Sequence, residues 1–499
     1  MKTVRAIFIP IDSRPVTYSF PQQLAAIAGL EVAVPPLAMM GGLGVPADCD
    51  ALFLWLEDAL SKLAPDLLIV CLDSLLYGGL VASRCSSTSL DEIMERLKRI
   101  GSWKKLSGGK TQILAQSSIM RIPHYNTSVT EPAYWQEYGA QIFQWSALKH
   151  KEQLAILPAD SDLQSLEKEI PNTVLNDFLA RRDRNFCVNQ KLVKLASSKE
   201  IDYMVFSQDD TAAYGLNVIE KTLLESEAHA LGADNVVAYA GTDETIGALM
   251  ARWLIAMSPS APKVTVHFSP EEGKAVVSKF EGQTIARSFA SIVDVIGLQP
   301  STSKPNADDD FAVVIHTAGT VQGDHLPSLE KVLDTSRSVR ETIQLIEESP
   351  IPVVLCDVAY SNGADAALID TLLNSPHLFA KLCAYAGWNT TNNTVGSALA
   401  MGVAAWHARL HSFDAREPIK SALFVRFLDD WAYQALVRPQ LNAKASDKIL
   451  HELMVPFGQK MAKALGLNPG AVTFKLPWKR TFEVEVDLPS SVKSANIVT

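Results

Sequence analysis

The chain has 499 residues, 47% of them hydrophobic and 20% charged, with a formal net charge of −10. This is long enough for two or three domains around a large core, and the composition is ordinary for a soluble globular protein. An acidic balance without a basic run sets nucleic acid aside as a partner, because phosphate contacts need clustered Lys and Arg. No apolar stretch is long enough to cross a bilayer and no leader pattern opens the chain, so a cytoplasmic protein with no membrane partner is expected.

Val4–Ile11 reads as a first strand, stopped by Asp12-Ser13-Arg14-Pro15 because Pro15 cannot donate to a ladder. A helix over Phe20–Ala28 and a short strand over Glu31–Val34 follow. Met40–Pro46 is a glycine-rich loop without the Lys-Ser/Thr of a P-loop, and its three glycines point to a close backbone approach or a mobile turn. Asp50–Leu63 carries an apolar stripe at helical spacing. Asp66–Leu72 is a buried strand ending at Asp73-Ser74, with Tyr77, two glycines and Arg84 just beyond. Ser89–Ile100 reads as a helix, and Gln112–Ala115 as a strand leading to Gln116 and Arg121. Helices are expected over Trp135–His150 and Leu163–Ser198.

The strand Ile201–Phe206 is the centre of the reading, since it runs into Gln208-Asp209-Asp210 with Tyr214 close behind. A helix over Leu216–Leu231, a strand over Val236–Ala240 ending in Gly241-Thr242-Asp243-Glu244, and a helix over Thr245–Met257 complete the first half. Ser258-Pro259-Ser260-Ala261-Pro262 is the best linker in the chain. Beyond it, strands are expected at Lys263–Phe268, Phe311–His316 and Ile351–Cys356, with a loop over Pro300–Asp310. Leu378–Leu410 reads as largely helical, the rest through Leu465 as mostly helix, and Val472–Leu476 and Thr481–Val486 as a β tail. Alternating strands and helices predict an α/β fold of two Rossmann-like domains with mainly parallel sheets. The expected divisions are residues 1–258, 263–400 and a mostly helical segment 401–499.

Strand after strand ends in a polar side chain: Asp12, Asp73, Gln116, Asp209, Asp210, Asp243, Glu244 and Asp357. In a parallel sheet those ends share one edge, where ligands bind. Carboxylates gathered there raise one another's pKa, which supplies one protonated acid and one ionised base near neutral pH. A single acid after a strand also serves as a helix N-cap, and one cap uses one carboxylate; the doubled Asp209/Asp210 and Asp243/Glu244 are therefore the catalytic candidates. Asn389, Asn392, Asn393 and Gly396 fall on one helical face, suited to a polyhydroxylated ligand, with Trp388 as an apolar platform and Tyr77, Tyr214 and Asn362 as further contacts. Asp12 and Asp73 join them as binding candidates. Arg14, Arg84 and Arg121 either bind a carboxylate or phosphate of the substrate or neutralise the acids.

Histidines show no HxH or HExxH spacing, which argues against zinc, and no GxGxxG follows the first strand, which argues against a nicotinamide cofactor. Gly-x-Ser-x-Gly is absent. Cys49, Cys71, Cys85, Cys187, Cys356 and Cys383 lack ligand or disulfide spacing and are expected as reduced thiols.

Several motifs together resemble the DUF4127 family: Asp12-Ser13-Arg14-Pro15, Leu72 to Leu80 with Ser83-Arg84, Ile119-Met120-Arg121, Gln208 to Thr211 with Tyr214-Gly215, Gly241 to Glu244, and Gly387 to Thr390 with Asn392 and Gly396. The resemblance spans nearly the whole chain and implies a bacterial protein; no catalytic role is carried over from it. The residues themselves lead to a carbohydrate-active hydrolase, a glycosidase acting on a small molecule or oligosaccharide without a cofactor. Two alternatives stand beside it: a hydrolase or sugar isomerase using Mg²⁺ or Mn²⁺, and a non-catalytic two-domain sugar-binding protein. A homo-oligomer is compatible with each.

Overall fold

The structure is a computed structural model describing residues 5–157, 162–325, 332–441, 445–468 and 470–488. Val4, the expected first residue of the opening strand, lies outside them. The first sheet contains β1 (Arg5–Ile9), β2 (Glu31–Ala33), β3 (Leu67–Cys71), β4 (Gln112–Ile119), β5 (Tyr203–Gln208) and β6 (Val236–Ala240), in the order β2-β1-β3-β4-β5-β6. The second contains β7 (Val264–Ser269), β8 (Phe311–His316), β10 (Val353–Asp357) and β12 (Leu382–Ala386), in the order β12-β10-β8-β7. Every pairing within the two sheets is parallel. The short β9 (Gly323–Asp324) and β11 (Tyr360–Ser361) pair with each other, and β13 (Thr473–Lys475) forms an antiparallel pair with β14 (Glu485–Asp487). The chain is thus α/β, with two parallel sheets and a helical C-terminal segment.

The strands form where apolar runs are buried on both faces; every residue of β3, β5, β8, β10 and β12 is buried. Ser258–Pro262 connects the first sheet's last helix, Thr245–Met257, to β7. The helix Thr391–Leu410 runs through the expected division at residue 400. It packs against the helices Pro15–Ala28 and Thr245–Met257 of the first sheet and against β10 and β12 of the second. One hydrophobic core therefore continues from sheet to sheet.

Several boundaries differ from the sequence reading for identifiable reasons. Leu378–Leu410 is not one helical stretch: Leu382–Ala386 is strand β12, because Leu-Cys-Ala-Tyr-Ala is a short run buried on all sides, which periodicity alone cannot tell from helix. Leu163–Ser198 breaks at Pro171 into helices Leu163–Glu169 and Asn172–Ser197, as the residue before a proline is steered out of the helical region. The first helix begins at Pro15 itself, a favourable first-turn position for proline. Helices Ile285–Ile296, Ser336–Glu348 and Ala366–Asn374 fill stretches that the sequence reading leaves unassigned.

Candidate functional site

Loops after β1, β4, β5 and β6 meet at the carboxyl edge of the first sheet. The loop after β6 leans back over the sheet, so that Gln116 in β4 donates from Nε2 to Thr242 O at 2.9 Å. Gly241 makes this bend with φ +128°; a Cβ there would collide with Glu244 and Tyr239. In the same way Gly41 of the glycine-rich loop abuts Gly78 so closely that its Cβ would lie 2.1 Å from the Gly78 carbonyl oxygen. Ser13 N–H donates to Gly41 O at 3.1 Å, which fixes the loop carrying Asp12 and Arg14.

These loops, the segment after β3 and two loops of the second sheet line a cavity of about 210 Å³, with Asp12, Arg14, Arg84, Arg121, Asp209, Asp210, Asp243, Asn362 and Asn389 from the candidate set in its wall. Arg14 is the hub of one cluster. Its Nη1 and Nη2 donate to Asp243 Oδ2 and Oδ1 at 2.9 and 2.6 Å, and its Nε to Asp12 Oδ2 at 2.8 Å. Nη1 also reaches Glu483 Oε1 at 3.4 Å. The second cluster is built on Arg84 and Arg121. Arg84 Nη2 bonds Asp209 at 2.6 Å, and Arg121 Nη1 bonds Asp209 at 3.1 Å and Asp210 at 2.8 Å. Glu131, buried behind them, accepts from both arginines.

The adjacent aspartates titrate apart. Burial favours neutral Asp209, but Arg121 and Arg84 override it and hold this carboxyl down to about 2. Burial, followed by the Asp209 charge, lifts Asp210 to about 6. Asp243 is also lifted to about 6, by burial against the opposing pull of Arg14. Under the main cavity a void of about 10 Å³ touches Asp209, Asp210, Asp243, Glu281, Asn389 and Asn393, room for a single water.

Backbone strain collects here. Ten described non-glycine residues have positive φ, and five of them line this cavity: Asp210 (+42°), Phe280 (+65°), Asn362 (+60°), Asn389 (+66°) and Trp478 (+54°). Asn and Asp enter that region readily, whereas Phe and Trp do so only where surrounding structure compels it. Asn362 N–H donates to Asn389 O at 3.0 Å, so the two amide-bearing loops of the second sheet are tied together.

The remaining candidates do not line the cavity. Glu244 turns beneath it toward Gly396, where its Oε2 accepts from Thr242 N–H and burial pushes its carboxyl up to about 8. Asp73 accepts from Ser118 N–H at 2.9 Å and joins the end of β3 to β4. Tyr77 is buried under the Arg184 guanidinium. Tyr214 packs edge-on to His150 and under Lys151. Trp388 is a core residue set edge-on to Phe482. Asn392 is fully buried; its side chain donates to Ala240 O and its N–H to Glu281 at 2.6 Å, so it latches the helix Thr391–Leu410 to β6. Among the described residues no group of three or more His, Cys, Asp or Glu is arranged to hold a metal ion.

A family profile described as a protein of unknown function, DUF4127, matches residues 6–487. The chain belongs to the DUF4127 family. No curated protein and no solved structure matches it. In this DUF4127 chain the cavity wall contains residues that strand-end reasoning passes over. Tyr125, Thr127, Val129 and Thr130 come from the loop after β4, Phe280 from the loop after β7, and Trp478, Arg480 and Phe482 from the strap between β13 and β14. Trp478 Nε1 donates to Ser13 Oγ at 2.8 Å, which fixes the strap over the first sheet. The signal that could have found it is Trp478-Lys479-Arg480-Thr481-Phe482-Glu483, where aromatic, basic and acidic residues are denser than a terminal hairpin needs. No described helix is long and apolar enough to cross a membrane.

Proposed function

We propose that this DUF4127 chain is a carbohydrate-active hydrolase, a glycosidase in which Asp210 is the general acid and Asp243 the base or nucleophile. The observation that carries this reading is the pairing, in one cavity, of an Asp210 lifted to about 6 beside an ionised Asp209. A group with that pKa can give up a proton to a leaving oxygen in mildly acidic to neutral solution. Asp243 is held in a fixed orientation by both Nη atoms of Arg14. Asn362 and Asn389 offer amide donors and acceptors to sugar hydroxyls, and Phe280, Trp478 and Phe482 add apolar surface to the wall. The volume of about 210 Å³ lies below the roughly 300–1,000 Å³ of drug-sized sites, which suits one sugar unit.

The test is incubation of the protein with a panel of aryl glycosides at pH 6, with and without EDTA. Release of the phenol in both conditions supports the reading. Release abolished by EDTA and restored by Mg²⁺ or Mn²⁺ turns it toward the metal-dependent hydrolase. A second reading, a non-catalytic sugar-binding protein, is favoured by one observation: each of Asp12, Asp209, Asp210 and Asp243 already pairs with an arginine. Saturable binding of a sugar with no product over long incubation selects that reading.

A further inference from the structure

Three arginines that the sequence marks for an anionic substrate group are committed to the protein's own carboxylates. Arg14 serves Asp12, Asp243 and Glu483; Arg84 serves Glu131 and Asp209; Arg121 serves Glu131, Asp209 and Asp210. They set the charge state of the acids and hold them in place. A different arginine on the cavity wall is left with donors to spare. Among the described residues the Arg480 side chain hydrogen-bonds only to Glu483, from Nη2 to Oε1 and Oε2 at 3.0 and 3.2 Å. Among the described residues its buried Nε–H has no partner, and Nη1 makes no hydrogen bond either.

An arginine with open donors needs a reason, since buried N–H groups are nearly always satisfied in folded proteins. Arg480 is also held in place. Its guanidinium carbon lies 4.6 Å from the Trp478 ring centroid and 4.9 Å from that of Phe482, two residues that themselves line the cavity. Trp478 is fixed by its bond to Ser13, and the Phe482 carbonyl accepts from Gln434 Nε2 at 3.0 Å. About 19% of the Arg480 side chain remains open. The Nε–H has no exposed surface, so the donor left for a ligand is Nη1, and a pre-positioned guanidinium with that nitrogen uncommitted can donate to an oxygen of a carboxylate or phosphate.

We propose that Arg480 binds an oxyanion, a carboxylate or a phosphate, carried by the polyhydroxylated ligand of this cavity. The inference rests on the sugar-site reading and narrows it to acidic sugars. The ligand's anionic end lies against the Trp478–Phe482 strap, which leaves its hydroxyl and glycosidic oxygens for the aspartates of the same cavity.

The experiment is calorimetric titration of the full chain and of R480Q and R480K with glucose, galactose and mannose. The same proteins are titrated with the corresponding uronates, the corresponding 6-phosphates and inorganic phosphate. The expected result is that one acidic sugar binds at least tenfold more tightly than its neutral parent. R480Q then removes that preference while keeping the neutral sugar's affinity, and R480K keeps part of it. The uronate and phosphate arms show which oxyanion is taken. Equal affinity for acidic and neutral forms, a preference that survives R480Q, or binding of inorganic phosphate alone would overturn the assignment of Arg480 and leave the sugar site standing. If no sugar of either kind binds, the sugar-site reading fails as well.

Discussion

Arg14 and Asp243, 229 positions apart, meet in a two-point ion pair with both nitrogen–oxygen distances under 3 Å. β3, β4 and β5 lie between their strands in the sheet, and the pair closes the edge above them. It is also what keeps three acids, Asp12, Asp243 and Glu483, tolerable in a buried place. Removing one member of a buried ion pair strands the other's charge. Arg14→Ala is therefore expected to lower unfolding free energy by about 3–5 kcal/mol, read by urea denaturation at pH 7. Arg14→Lys keeps the charge but loses the fork and falls between that variant and the native chain. An alanine variant as stable as the native chain would mean the cluster is not held by this residue.

Glu244 gives a pH prediction of definite sign. Its carboxyl is lifted from an ordinary 4.5 to about 8, chiefly by burial. The folded chain thus holds this proton more tightly than the unfolded chain, and stability declines as pH rises between those two values. The neutral isostere Glu244→Gln removes that slope. Denaturation curves should show the variant close to the native chain at pH 5 and more stable than it by a few kcal/mol at pH 8. Identical slopes for the two proteins would contradict the buried, proton-bearing placement.

What the sequence discloses about the site follows from geometry common to all parallel sheets. Asp12, Asp209, Asp210 and Asp243 stand just past strand ends, and strand ends share an edge, so their meeting could be read before folding. Glu244 could not be separated from Asp243 in this way, because successive residues in a turn face different directions and only the Gly241 bend decides which enters the cavity. Trp388 shows the same limit for aromatics: beside the amides it reads as a platform, and packing edge-on to Phe482 makes it a core residue. The strap is hidden for another reason. Trp478 and Ser13 are 465 positions apart, and no local pattern encodes so distant a contact. In the fold, β12 was masked by a burial pattern shared by strands and helices, and the helix Ser336–Glu348 is short and rich in charge.

The Asp209–Asp210 pair links structure to the rate profile. In the proposed reaction Asp210 would act protonated and Asp243 ionised, and both are lifted to about 6. The rate should form a narrow bell near that pH. Asp209→Asn removes a neighbouring negative charge and frees Arg121 Nη1 for Asp210, so the alkaline limb should move to lower pH. A limb that stays in place would detach Asp210 from that limb.

The small void beneath the cavity bears on stereochemistry. It adjoins Asp210 and Asp243 and has room for one water. An inverting glycosidase needs such a water on the face of the sugar opposite the leaving group. Proton NMR of the first-formed product should show the inverted anomer. Retention would mean that one of the aspartates attacks the sugar directly.

The measurement that bears most directly on the whole account is turnover of the best aryl glycoside by the native chain, D210N and D243N at pH 6. If these aspartates do acid–base work, each amide variant should lose at least about 100-fold in kcat, with its fold and its affinity for the sugar retained. Full turnover in either variant, or a native chain that cleaves no glycoside while binding the sugar, would contradict it.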